Sequence, residues 1–213
     1  MRNMNDIDKL KQIIYNHIHV GLTTNGNRGT SRTTQLHEGI FNIIKQYIKN
    51  FDDKYIVEYE VPIECTYGNK FKIDVVIKDK VKNQIVVCIL LKAFISSVQK
   101  NRANGANTTR GEIFRIKGVP NRSNVKIWFI TLLANTIANY RNDGRLRNME
   151  NSKKAYVDMA AIETENNVFH STIFYNLNQI DYTTKETFKN TLLETNISDI
   201  TIDNLTKKIS NIL

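Results

Sequence analysis

The chain has 213 residues, of which 41% are hydrophobic and 24% charged, enough to bury an apolar interior without disulfides or structural metals. Its net charge of +9 points to a polyanionic partner, because Lys and Arg gain by displacing counterions from phosphates. Two cysteines, Cys65 and Cys88, with no CxxC spacing argue against a zinc scaffold or a disulfide framework, and the absence of a run of about 20 apolar residues argues against a membrane span.

The opening MRNMNDIDKLKQ lacks the apolar run of a signal peptide, so a reduced cytoplasm is the expected location. Residues 4–20 read as a helix, with Ile7, Leu10, Ile13, Ile14 and Ile18 on one face. Residues 21–35, GLTTNGNRGTSRTTQ, are glycine- and hydroxyl-rich and carry Arg28 and Arg32. This segment reads either as a solvated connector or as a loop ordered by phosphates. Thr34 is the expected cap of a helix running to about Asn50, with Leu36, Ile40, Ile43, Ile44, Tyr47 and Ile48 as its buried stripe and Glu38 between apolar positions.

Residues 55–64 alternate, with Tyr55, Val57, Tyr59, Val61 and Ile63 facing one way and Glu58, Glu60 and Glu64 the other. Pro62 marks this as an edge strand or a bulge. Residues 71–78 form a second strand, with Phe71, Ile73, Val75 and Ile77 on one face and Asp74 on the other. Residues 85–92, IVVCILLK, are apolar on both faces and read as a central strand closed by Lys92. A polar, basic segment after Ser96 reads as a broken helix resuming near Arg110 and ending before Pro120, followed by a core strand at 125–133. Residues 136–155 read as a surface excursion carrying Arg141, Arg145 and Arg147. Strands are expected near 155–162 and 168–176, and helices at 184–194 and 199–213.

If 71–78 and 85–92 form a hairpin, Asp74 lies nearly opposite Leu90, with Lys92 as its diagonal neighbour. Such diagonal pairs sit roughly 7–8 Å apart at the backbone, within reach for an Asp and a Lys side chain to converge. An ordinary polar sheet face with a snorkelling lysine gives the same pattern. The histidines, His17, His19, His37 and His170, are scattered and make no evident constellation.

Over residues 35–133 the chain resembles the PD-(D/E)xK nuclease superfamily, which includes many type II restriction endonucleases. Asp74 would match the first Asp of that family, and Leu90-Leu91-Lys92 its (D/E)xK triplet. The resemblance implies an α/β fold, a mixed central sheet flanked by helices around a core of helix, three strands, helix, strand. It also implies carboxylates that hold Mg²⁺ and a lysine that orients the attacking water. Ile73 stands at the variable Pro position, and Leu90, which cannot ligate a metal, at the usual acid. Three explanations stay open: the acid has migrated, with Glu112 the candidate and Glu60 and Glu38 as others; it has been replaced by an engineered change that blocks cleavage; or catalysis has been lost and binding kept. The metal ligands implied are Asp74 and Glu112, and the catalytic positions Asp74, Lys92, Leu90 as the site of the missing acid, and Glu60.

Lys100, Asn101, Arg102, Asn104, Asn107, Arg110 and Arg115 suit DNA, since Arg reads guanine, Asn reads adenine and Lys serves phosphates; a solvated surface helix is the bland alternative. The resulting expectation is a single domain over 1–213 that cleaves double-stranded DNA as a Mg²⁺-dependent homodimeric restriction endonuclease. The helix 4–20 and the elements of 155–213 are additions to the core. An inactive DNA-binding protein and a repair or structure-selective nuclease are the alternatives.

Overall fold

Two apolar stripes at helical spacing begin the fold by packing on one another. In the computed structural model, which describes residues 6–23, 30–65, 70–94, 98–119, 122, 124–193, 197–202 and 205–213, α1 (Asp6–Thr23) buries Leu10, Ile14 and Ile18, and α2 (Thr30–Phe51) buries Leu36, Ile40, Ile44 and Ile48. The four-residue recurrence keeps each stripe on one face. The two helices approach closely at Gly39, where an added Cβ would lie 2.5 Å from Ile13 Cδ1. Thr34 is not a cap: α2 begins at Thr30, and the Thr34 carbonyl instead accepts a 3.2 Å hydrogen bond from the Tyr59 hydroxyl. Of the expected loop 21–35, residues 24–29 lie outside the described residues and the rest is helical.

β1 (Tyr55–Glu64), β2 (Lys70–Asp79), β3 (Gln84–Phe94), α3 (Val98–Lys117) and β4 (Lys126–Ala134) follow. With α2 they form the expected order of helix, three strands, helix, strand. β5 (Thr136–Tyr140) and β6 (Leu146–Asn151) make a separate two-stranded sheet, and α4 (Lys153–Asn166), β7 (Phe169–Leu177), α5 (Lys185–Leu193), β8 (Ile197–Ile202) and α6 (Leu205–Ile212) complete the chain. The main sheet is mixed, in the order β1-β2-β3-β4-β7-β8, parallel at β3–β4 and β4–β7 and antiparallel elsewhere. β1 is an edge strand, where the missing N–H of Pro62 breaks no central ladder. β3 and β4 are apolar on both sides and lie at the centre, burying among others Cys88, Leu90, Trp128 and Phe129. Full burial of each large side chain contributes about 1.5–3 kcal/mol. Because β3, β4 and β7 step in one direction, right-handed crossovers place α3 and α4 on the same face.

Three further sequence-based expectations are corrected. Residues 155–162 are helical, within α4, because Ala155, Met159 and Ile162 are buried at a spacing of three and four. The expected helix 199–213 divides into β8, which pairs with β7 at the sheet edge, and the shorter α6. α3 is continuous rather than broken: despite its Asn and Gly, Ala106, Thr109, Ile113 and Ile116 form a buried stripe. The expected surface excursion takes the form of a hairpin over residues 136–151, joined to the turn before α5 by an Arg145–Thr184 bridge.

A buried polar group sits between the parallel strands. His170 is 3% exposed, its ring stacked on Phe129 with centroids 4.3 Å apart, and its Nε2 lies 3.1 Å from the Oγ1 of both Thr131 and Thr172. Burial, helped by the Lys208 charge, pushes its pKa down from 6.5 to about 4. The folded protein therefore refuses a proton that the unfolded chain accepts below about pH 6.5, so stability falls as pH drops from there towards 4. At 1.36 kcal/mol per unit the loss approaches about 3 kcal/mol. Urea unfolding at about pH 7.5 and 4.5 should show this drop, and His170→Gln should remove most of it; an equal drop in the variant would assign acid sensitivity to other groups.

Candidate active site

The site forms where the sheet splits. The β2–β3 ladder runs from Asp79–Gln84 to Val75–Ile89, and continuing that register by one residue sets Asp74 across from Leu90. There β2 stays with β1 while β3 stays with β4, whose pairing continues to Phe94–Leu133. The β1–β2 ladder keeps its register from Tyr59–Val75 to Val61–Ile73 but skips the pair between them, Glu60 opposite Asp74, where Glu60 has a φ of 50°. That left-handed backbone is uncommon for a residue other than Gly, and such strain tends to gather at functional sites.

A cavity of about 290 Å³ occupies the opening, lined by His17, His37, Phe71, Lys72, Asp74, Leu90, Leu91, Lys92, Ala93 and Glu112. Each side chain reaches it for a local reason. Asp74 points out of the apolar alternation of β2, and its Oδ2 accepts a 2.7 Å hydrogen bond from the Leu91 N–H. Parallel register pairs Lys92 with Thr131 and Leu90 with Phe129, so Lys92 and Leu90 share the face on which α3 lies. From α3, Glu112 accepts a 2.7 Å hydrogen bond from Lys92 Nζ at Oε1. Its Oε2 is buried and lies 2.6 Å from the same ammonium, so both oxygens face Lys92. The side chains of Lys92 and Glu112 are only 20% and 14% exposed, so their attraction is screened less than that of a surface pair.

The structure therefore brings together Asp74, Lys92, Leu90 and Glu112. Glu60 is not in the cavity lining; its carboxylate is bound by Lys72 at 2.9 Å, at the rim. Glu38 is exposed on α2. Burial, followed by the charges of Glu60, Glu38 and Asp74, pushes the Tyr59 hydroxyl up to about 12. Leu90 is fully buried beneath the cavity, next to Phe129.

Sequence reasoning missed His37 and His17. His37 Nδ1 lies 3.2 Å from Asp74 Oδ1, and both histidines line the cavity. Only the position of His37 beside the buried Leu36 and Ile40 stripe could have signalled that it faces inward.

The basic segment divides into two sets. Arg102 is held by Asp158 at 2.6 Å and Arg110 by both oxygens of Glu165 at 2.9 and 3.2 Å, so these two arginines tie α3 to α4. Asn104, Asn107 and Arg115 face outward with Phe114. The Arg115 guanidinium sits 5.9 Å from the centroid of Phe71, a cavity residue, which carries the exposed face of α3 to the mouth of the site. Arg28 lies outside the described residues. Arg32 falls in α2, and Lys100 and Asn101 in α3, with their side chains outside the described set. Arg141, Arg145 and Arg147 are exposed on the β5–β6 hairpin.

No family model matches the sequence, and no curated protein matches it. Among solved structures, a chain of a DrdV–DNA complex determined by cryo-electron microscopy aligns with 70% of this chain and 89% of its own length, at 15% identity and a TM-score of 0.36. Among the described residues no helix is long and apolar enough to cross a membrane.

Proposed function

We propose that the protein is a Mg²⁺-dependent endonuclease that cleaves double-stranded DNA at a specific sequence, in the manner of a type II restriction enzyme, and acts as a homodimer on two-fold symmetric sites. The observation that carries this reading is the convergence of Asp74, Lys92 and Glu112 on one cavity at the split between β2 and β3. Leu90 leaves the usual acid position apolar, and Glu112, delivered by α3, supplies a carboxylate beside Lys92 instead.

The donor set fits a hard cation. Among the described residues no three His, Cys, Asp or Glu side chains are grouped to cage a metal, but Mg²⁺ is commonly held by one or two carboxylates completed by waters and substrate phosphates. Asp74 and Glu112 would hold it, with Glu112 sharing its carboxylate between the ion and Lys92. When bound, the ion would polarise the scissile phosphate. Lys92 is paired with Glu112 and offers its remaining N–H groups to the cavity. There they orient a water for attack on phosphorus and stabilise the charge that builds on the phosphoryl oxygens. The water oxygen forms the new P–O bond as the bond to the leaving ester oxygen breaks.

A plasmid-cleavage assay over diverse sequences tests the reading: discrete fragments with Mg²⁺ and none with EDTA are expected. Binding without any nicking would favour the reading that Leu90 alone supports, a DNA-binding protein without catalysis. Nicking confined to branched or damaged DNA would indicate a repair nuclease.

The two sets of α3 residues give separate expectations. Arg115→Ala and Asn107→Ala should each weaken DNA binding by about 1–3 kcal/mol if they read bases. Arg102→Ala should cost about 0.2–1 kcal/mol of stability and leave DNA affinity nearly unchanged. Equal losses of affinity in Arg102→Ala and Arg115→Ala would mean that the α3–α4 ion pairs open on DNA.

A further inference from the structure

We propose that His37 is the positioning residue for Asp74, fixing which lone pairs that carboxylate turns into the cavity. The inference rests on the nuclease reading and deepens it. Asp74 stands where β2 has lost the β3 ladder, so its carboxylate has no strand partner to orient it. Two groups from different elements take over that task. The Leu91 N–H, released from the ladder, binds Oδ2 at 2.7 Å, and the imidazole of His37 lies 3.2 Å from Oδ1 through Nδ1. With the Leu91 N–H donating to one oxygen and the imidazole edge held 3.2 Å from the other, rotation of the carboxylate is restrained while its open side is left for the cavity.

α2 is itself held in place for this role. Gly39, two residues beyond His37, allows the close approach to Ile13 that sets the depth of the helix. On the other side Tyr59 binds the Thr34 carbonyl and packs its ring 5.3 Å from that of Phe41, so β1 grips α2 on either side of His37. The His37 side chain is 12% exposed and that of Asp74 23%, which shields the contact while leaving Asp74 open to the cavity. Groups that orient a metal-binding carboxylate typically change metal affinity by about 10–100-fold when removed.

The test uses the full chain and Mn²⁺ as the probe, with free ion counted by electron paramagnetic resonance and with the Mg²⁺ dependence of cleavage followed in parallel. His37→Asn keeps an N–H near the Nδ1 position, whereas His37→Gln moves it to that of Nε2. His37→Asn should bind Mn²⁺ within about threefold of wild type, and His37→Gln about 10–100-fold more weakly. The half-saturating Mg²⁺ for cleavage should shift in step, while the rate at saturating Mg²⁺ changes far less. Equal Mn²⁺ affinity in wild type and His37→Gln, or equal weakening in both variants, would overturn the positioning role. If instead wild type binds no more Mn²⁺ than Asp74→Ala, the metal-dependent reading itself falls, and the positioning role with it.

Discussion

Lys92→Ala is expected to lower DNA cleavage about 1,000-fold or more while changing DNA affinity only a few fold. Lys92 is a cavity cation held against a half-buried carboxylate from α3, at 2.7 and 2.6 Å from the two oxygens of Glu112. That pairing fixes the ammonium where phosphoryl charge would develop, and an alanine supplies neither the charge nor a donor. The same change leaves Glu112 half-buried without its counter-ion, so a modest fall in Tm should accompany the loss. Lys92→Arg separates the two effects: it keeps the charge and the ion pair, and so should restore Tm, but its planar fork replaces a compact three-donor head and should restore cleavage poorly. Glu112→Gln tests the other half of the pair and should also abolish cleavage. Retention of more than about a tenth of wild-type activity in either Lys92→Ala or Glu112→Gln would remove that residue from the reacting centre.

Leu90→Glu is expected to destabilise the fold without creating activity. Leu90 is 1% exposed, lies beside Phe129 across β3–β4, and gives the cavity an apolar stretch of lining. A carboxylate there loses its hydration, and its pKa would rise until it is held neutral, at a cost on the order of several kcal/mol. Lys92 is already engaged by Glu112, which limits the compensation available to a second acid. Urea unfolding should therefore show a lowered midpoint, and cleavage should not exceed that of the parent chain. A gain of cleavage in Leu90→Glu would show that Glu112 does not supply the absent acid and that position 90 is where the chemistry is missing.

The legible part of this site is the part governed by local periodicity. Alternation over 71–78 and 85–92 sets Asp74, Leu90 and Lys92 at a common level, and the register Val75–Ile89 agrees with it. Strand parity could not show that the ladder ends there, because the ending depends on where β1 and β4 pull β2 and β3. Glu112 could be named as a candidate but not placed, since its approach to Lys92 needs α3 to be continuous, and the Asn and Gly of that helix argue locally for a break. Its continuity comes from tertiary anchors, Arg102 to Asp158 and Arg110 to Glu165, on a helix that is itself misread as a strand from sequence. His37 was hidden for a similar reason. Its partner lies on another element, and their meeting follows from the packing of α1, α2 and β1. β8 has no local signal strong enough to separate it from the helix after it, and pairing with β7 defines it.

The split between β2 and β3 also divides the sheet mechanically. The seam from Val87–Lys126 to Phe94–Leu133 welds β3 to β4 along its length, whereas β2 is fastened to β3 only from Asp79–Gln84 as far as Val75–Ile89. The far half of the β1–β2 ribbon has left that seam; α2 backs it, and near its tip the Glu64 carbonyl accepts a 2.9 Å hydrogen bond from Arg122. Asp74 sits where the ribbon parts from the seam, and Lys92 and Glu112 sit on the welded block. The Leu91 N–H bound to Asp74 Oδ2 at 2.7 Å is thus a strut between the two parts, and losing it would leave the carboxylates of Asp74 and Glu112 on pieces of the sheet joined only by one short seam.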